Sequence, residues 1–400
     1  MTHALIIGGG VAGAATSMAL HKAGIGATLY EAHSTGAGDR GAFLMVMRNG
    51  LDALQAIDAH AAVADASFPA RTVDYRASTG KRMATHTIGG DATDHNRPRT
   101  LTRPALYRAL HAELGRRGGT IHHGKRLTHA ARTPQGGVIV TFDDGTRAEG
   151  DLLIGADGIH SVTRSHIDPY APRASDTGQV LVFGSTQDTS LPASPQAYRM
   201  IYGKRGFFGY TTSPGGETLW FAQLADATET VDLTGAQLRH RTREVYADDH
   251  TPAARIVDAT MNPLASSIYD IESVPTWHDT ATVLVGDAAH AASPAAAQGA
   301  SLALEDSVLL AKCLRDLPTS REAFRAYTRL RRPRVERLAT FSANQAQDQT
   351  PRLRRRLLPR RRKPAPFAAD PDSRAWLYHH HIDWHQPIEP PVDGRDGQDS

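Results

Sequence analysis

The first thirty-one residues limit what this 400-residue chain can fold into more than any other stretch. An apolar run, Ala4 to Ile7, enters Gly8-Gly-Gly10-Val-Ala12-Gly13. A small-residue segment follows from Ala14 to Ala23, and a second apolar run ends in Glu31. The order is strand, glycine turn, helix, strand, acid. Gly8 permits the tight turn, Gly10 lets a pyrophosphate approach the backbone, and Gly13 lets helix pack on strand. The helix start around Ala12 offers free N–H groups and the positive end of a dipole to phosphates. Glu31, eighteen residues after Gly13, is placed to accept hydrogen bonds from a ribose 2′-hydroxyl, which suits FAD or NAD and repels a 2′-phosphate. The segment reads as a dinucleotide-binding unit.

Four hundred residues exceed what one hydrophobic core usually supports, so two domains, or one with a large insertion, are expected. A 40% hydrophobic and 22% charged composition is that of an ordinary globular protein. The single cysteine, Cys313, excludes an internal disulfide framework and fits a reducing cytoplasm. The apolar N-terminus lacks the basic leader of a signal peptide, and no stretch approaches the roughly 18 apolar residues a membrane helix needs. Residues 352–363 carry eight basic side chains, so the rest of the net +3 chain stands at −5. The high pI is thus local. It reads as a solvated or acid-paired segment, and neither nucleic-acid nor integral membrane binding is expected.

Five segments are expected. Residues 1–175 form the first part of a Rossmann-like α/β dinucleotide-binding domain with a mostly parallel sheet. Within it, Thr102 caps a helix with Pro104 in its first turn, and an Asp-Gly145 turn joins two strands before a buried strand at 152–155. Residues 176–272 turn β-rich and read as an antiparallel sheet forming a second domain, with Ser213-Pro-Gly-Gly216 as a hairpin turn. Residues 273–318 return to the first domain with the strand Thr282 to Val285 and a helix from about 299. A long polar helix is predicted over 319–350, and a basic segment and tail over 351–400.

Three motifs in order now resemble a known family: Gly8-x-Gly10-x-x-Gly13 with Glu31, then Asp157-Gly158, then Gly286-Asp287-Ala-Ala-His290 through Gln298-Gly299 and Glu305-Asp306. The chain resembles the class A FAD-dependent monooxygenases typified by para-hydroxybenzoate hydroxylase, a group that includes polyketide hydroxylases and tetracycline-inactivating enzymes. The resemblance covers about residues 1 to 340. It implies that Asp287 holds a ribityl hydroxyl, that Arg103 and Arg40 contact FAD, and that Asp157 is associated with FAD and with use of a nicotinamide cofactor. The helix starting at Gly299-Ala300 would aim its dipole at the flavin N1–C2 edge. It further implies that NADH or NADPH visits transiently, since no second glycine loop exists to hold it. O2 would then react through a flavin C4a-hydroperoxide to hydroxylate, epoxidise or insert in Baeyer–Villiger fashion. His290 is read as positioning the loop. One departure concerns the family loop Pro-x-x-Gly-Gln-Gly, which here runs Pro294-Ala-Ala-Ala297-Gln298-Gly299.

An aromatic or polycyclic secondary-metabolite-type substrate is the expectation from the family, lying between flavin and second sheet. Met45, Met47, Arg199, Tyr202, Phe208, Tyr210, Trp220 and Phe221 are its candidate lining, although strand alternation lets only about half of the strand residues face one side. The histidines between 379 and 385 do not read as a metal site, because consecutive side chains diverge. The aromatic segment around Trp376 and Trp384 is expected to dock back on the body. A hydrolase is disfavoured by the absence of a Gly-x-Ser-x-Gly elbow, and a flavin halogenase by the absence of its Trp-x-Trp-x-Ile-Pro segment. The alternative to an oxygenase is an FAD-binding protein that shields an intermediate without oxygenating it. A monomer or dimer is expected.

Overall fold

A computed structural model describes residues 2–34, 41–89, 97–187, 194, 196–225, 233–271, 273–291, 296–349 and 375–389. Arg40, Pro294 and the basic run 352–363 lie outside these.

The apolar N-terminal run becomes the central strand, His3–Ile7, of a five-stranded parallel sheet. It pairs with Leu152–Gly155 on one side and Gly26–Glu31 on the other; Thr282–Leu284 and Thr120–His123 form the edges. Both faces of such a sheet are covered, and Leu5, Ile6, Leu153 and Ile154 are buried. Helix Val11–Lys22 packs against helix Gly299–Asp316, and the small residues between them allow a polar tie, Thr16 Oγ1 to Ser307 Oγ at 2.9 Å. Helix Arg103–Arg116 begins as the sequence predicts, with the Thr102 hydroxyl accepting from Ala105 N–H.

A second sheet of seven strands runs in the order Leu264–Asp270, Ser175–Thr186, Thr218–Ala225, Phe207–Thr212, Ala197–Tyr202, Thr72–Ala77, Arg82–Thr87. The chain visits it twice, first with residues 72–87, inside the segment expected to belong to the dinucleotide domain. Its single parallel pairing, Ala197–Tyr202 on Thr72–Ala77, is where these two visits meet. Helices Gly235–Tyr246 and Ala253–Asp258 cover one face and build a core with Ile201, Phe208, Tyr210 and Trp220. Phe43–Val46, Arg99–Thr102 and Phe68–Pro69 form a small sheet beside the other face.

The long C-terminal helix spans Ser320–Gln349. Residues 375–389 then lie back over the body. Trp384 is sandwiched by Arg315 and Lys22, whose charged ends sit 4.7 and 5.3 Å from its ring, and Ile388 N–H donates to Asp316. Among the described residues no helix is long and apolar enough to cross a membrane.

Candidate functional site

The glycine turn divides into residues that the fold needs and one that leaves space. A Cβ on Gly8, whose φ is +104°, would lie 2.3 Å from the Ala156 carbonyl oxygen; one on Gly13 would lie 1.9 Å from the Gly8 oxygen. These two glycines let the first strand, the helix and the Leu152–Gly155 strand close on one another. A Cβ on Gly10 would meet nothing within 4 Å, and the helix it starts has no side-chain cap. Its first N–H groups face a cleft of about 860 Å³ lined by Gly8, Gly10, Glu31, Arg103, Asp157 and Gly158. Ala12 and Gly13 lie behind this wall, in the first turn.

Glu31 is 6% exposed, and its two oxygens accept from Gly9 N–H at 2.6 Å and His33 N–H at 2.8 Å. Each oxygen keeps a second lone pair for a ligand hydroxyl. His111 Nε2 bonds the Gly9 carbonyl oxygen at 2.6 Å, and its ring stacks on Tyr107 at 3.8 Å. Burial lowers the His111 pKa, so the neutral ring donates to that carbonyl. Burial and the nearby Glu31 charge push the Tyr107 hydroxyl up to about 12. Tyr107, Lys125 and Arg126 complete this end of the cleft and escaped sequence reasoning. Their only signal is position: 125 and 126 follow the Thr120–His123 strand, which pairs beside Glu31.

Asp157 lines the cleft, but its carboxylate is turned to the short helix Val162–Ile167. It accepts from the Ser161 hydroxyl at 2.5 Å, from Val162 and Thr163 N–H at 2.9 and 3.0 Å, and from the Thr163 hydroxyl at 3.0 Å. The Asp157 side chain thus fixes the turn into that helix at the cleft wall, and Gly158, with open space at its Cβ position, lines the cleft beside it.

Asp287 presents its carboxylate to open space, with protein crowded behind it. Burial raises its pKa, opposed by the positive fields of His290 and Arg103. Arg103 thus lies electrostatically between the glycine loop and Gly286-Asp287. Behind that turn, Asp306 accepts from Gly286 N–H at 2.8 Å, His290 Nε2 at 2.6 Å and Arg331 Nε at 2.7 Å. Glu305 accepts from Arg331, Arg334 and Asn49, and the two arginines hold its pKa at about 2 although burial would raise it. Asn49 Nδ2 also donates to Gln298 Oε1 at 3.0 Å, which fastens the loop before Gly299. Ala297 has φ +52°, so the loop keeps a left-handed turn with a methyl where glycine is usual. Gln298 is 1% exposed, Gly299 has no atom within 4 Å of a Cβ position, and Ala300 is half-buried.

The uncovered face of the seven-stranded sheet meets this loop through Met47, whose N–H donates to Ser301 Oγ at 3.0 Å. Met45, Met47, Tyr198 and Met200 pack as one cluster with Phe43. Phe221 and Phe207 continue it, with rings 6.1 Å apart, and Tyr202 lies 5.1 Å from Phe207. Met45, Met47, Tyr202 and Phe221 are therefore brought together. Arg199, Phe208, Tyr210 and Trp220 are not, because alternation puts them on the opposite face. Phe208, Tyr210 and Trp220 are core against the covering helices, Trp220 Nε1 donates to Thr260, and the Arg199 guanidinium lies 6.0 Å from the Tyr210 ring.

The histidines of the tail go to separate partners: His381 to Asp52 at 2.8 Å, His380 towards Glu305 at 3.9 Å.

Residues 1–342 match the family described as FAD binding domain. The chain is 28% identical over 388 residues to the 3-amino-4-hydroxybenzoate 2-monooxygenase of Streptomyces platensis, covering 93% of this chain and 94% of that one. It is 28% identical over 344 residues to the FAD-dependent urate hydroxylase of Klebsiella pneumoniae, covering 84% and 87%. The solved structure of Klebsiella pneumoniae HpxO with FAD and uric acid superposes with a TM-score of 0.77 at 25% identity, covering 86% and 87%.

Proposed function

Because the chain belongs to the FAD binding domain family and is a flavin-dependent monooxygenase, we propose that it spends NADH or NADPH to insert one oxygen atom of O2 into an aromatic or polycyclic ring. The observation that supports this reading best is the continuity of the site. The cleft runs from Glu31 past Gly10 and Arg103 towards Asp287, and the loop at 297–301 beyond it is bonded to Met47, which packs with Phe43 and Tyr198. The donor set suits FAD: a helix N-terminus for pyrophosphate, a carboxylate at each end for sugar and ribityl hydroxyls, and open space over Gly10, Gly158 and Gly299 where backbone approaches a flat ligand.

When bound, FAD supplies the electron transfer and the activation of O2. The protein does the rest. Glu31, with its orientation fixed by two N–H groups, would hold the ribose. Arg103 and the first turn after Gly10 would neutralise the phosphates. Asp287 would accept from the ribityl chain, and the N–H groups at the Gly299 helix start would stabilise negative charge at the flavin edge. Met45, Met47, Tyr202 and Phe221 exclude water and stack the substrate ring. The buried Cys313 thiol, which burial pushes up to about 12, is inert and consistent with residence in a reducing cytoplasm.

The test is NAD(P)H oxidation and O2 uptake by FAD-loaded protein against a panel of phenols and polycyclic aromatics, with product mass determined. A gain of one oxygen in a consumed substrate is the expected result. FAD binding with no substrate-stimulated oxidation of NADH or NADPH identifies a binder that shields its ligand.

A further inference from the structure

The part of the seven-stranded sheet beside Met47 presents thioether and aromatic side chains, and the reason lies in strand register. Its described strands carry three arginines, Arg76, Arg82 and Arg199. Arg199 pairs across to Tyr210, which is core on the helix-covered face, and Arg76 pairs with Ile201 in that same core. Arg82 lies exposed on the edge strand, at a register shift. Arg76 and Arg199 therefore point away from the loop at 297–301. Opposite them, Met200, Phe221 and Tyr202 alternate onto the face that meets Met47. Met200 and Phe221 lie so close over Gly209 that a Cβ there would touch Phe221 at 2.5 Å and Met200 sulfur at 2.8 Å. The buried hydroxyl of Tyr198 is already bonded to Thr100 at 2.7 Å.

Three described cations nearby are engaged elsewhere. Arg48 already has an interaction of its own, Arg103 lines the dinucleotide cleft, and Arg99 is bonded to Ser67 and to the carbonyls of residues 64 and 67. Among the described residues of these strands the one histidine is His86, in edge contact with Tyr75.

We propose that the substrate held against this wall is a neutral aromatic, a phenol or related polycycle bearing no carboxylate. The inference rests on the monooxygenase reading above and narrows it. An ionised carboxylate placed here would lose its water without gaining a cation, a cost that apolar contact does not offset. A neutral ring meets thioethers and aromatic faces suited to stacking.

The test uses 1-naphthol and its carboxylated partner, 1-hydroxy-2-naphthoic acid, at about pH 7. Binding to the FAD-loaded protein is followed by perturbation of the flavin absorbance, which needs no turnover. The neutral compound is expected to bind at least about tenfold more tightly. Met200→Arg, checked for FAD occupancy, is expected to narrow or reverse the preference by supplying the missing cation. Equal or tighter binding of the carboxylate overturns the proposal, and so does failure of both compounds to perturb the flavin. A tenfold preference without NAD(P)H oxidation would leave this inference standing and remove the monooxygenase reading instead.

Discussion

His290 is held by Asp306 inside the protein, with Nε2 2.6 Å from a carboxylate oxygen that is wholly buried. The same carboxylate takes the Gly286 N–H and the Arg331 guanidinium, so one side chain fixes both ends of the Gly286–His290 turn to the long C-terminal helix. His290 is thereby a positioning residue. Asp306→Asn leaves Arg331 and His290 short of a charge in a dry site, and a loss of about 3–5 kcal/mol is expected. Chemical denaturation of the FAD-loaded protein measures it. A change under 1 kcal/mol would show that the clamp contributes little.

Gly10 and Gly13 separate folding from binding. Gly10→Val adds a side chain to open space at an extended backbone position, so the cofactor-free protein should melt within about 2 °C of the parent while FAD affinity falls at least about tenfold. Gly13→Val drives a methyl group into the Gly8 carbonyl and should prevent folding. Calorimetry of the apoproteins and FAD titration distinguish the two. Equal melting losses for both variants would refute the division.

Ala297→Gly is expected to relieve a left-handed strain of about 1–2 kcal/mol and to loosen the loop beside the flavin. Stopped-flow reoxidation of the reduced protein should change rate or uncoupling. Superimposable traces from parent and variant remove the idea.

The docked tail should respond to acid. Burial pulls the pKa of His380 down to about 4 against the opposing field of Glu305. The unfolded value is near 6.5, so the fold favours the neutral ring. Its contribution is complete above about pH 6.5 and is lost as pH falls towards 4. Fluorescence from Trp376 and Trp384 should report release of residues 375–389 in that window. His380→Asn should flatten the response, and an unchanged transition in that variant places its origin elsewhere.

Short-range chemistry was legible throughout the chain. The packing glycine at 13, the Thr102 cap and the Asp-Gly145 hairpin depend on residues a few positions apart, the turn at Gly8 and the acid at 31 fall at a spacing set within one strand–helix–strand unit, and each is present. Lys125, Arg126, Asn49 and Arg331 carry no such local mark, because their roles arise from partners far along the chain.

Sequence by itself determined that a dinucleotide unit starts the chain and that a β-rich segment returns to it through Gly286-Asp287, since glycine conformation and apolar periodicity act locally. Only the tertiary structure decided which face of the second sheet is core. Both faces are apolar, so alternation marks two sets without ranking them. Helices Gly235–Tyr246 and Ala253–Asp258, by covering one face, assigned Trp220, Tyr210 and Phe208 to the core and left Phe221 and Met200 for a ligand. The same covering turned Arg199 away from the site.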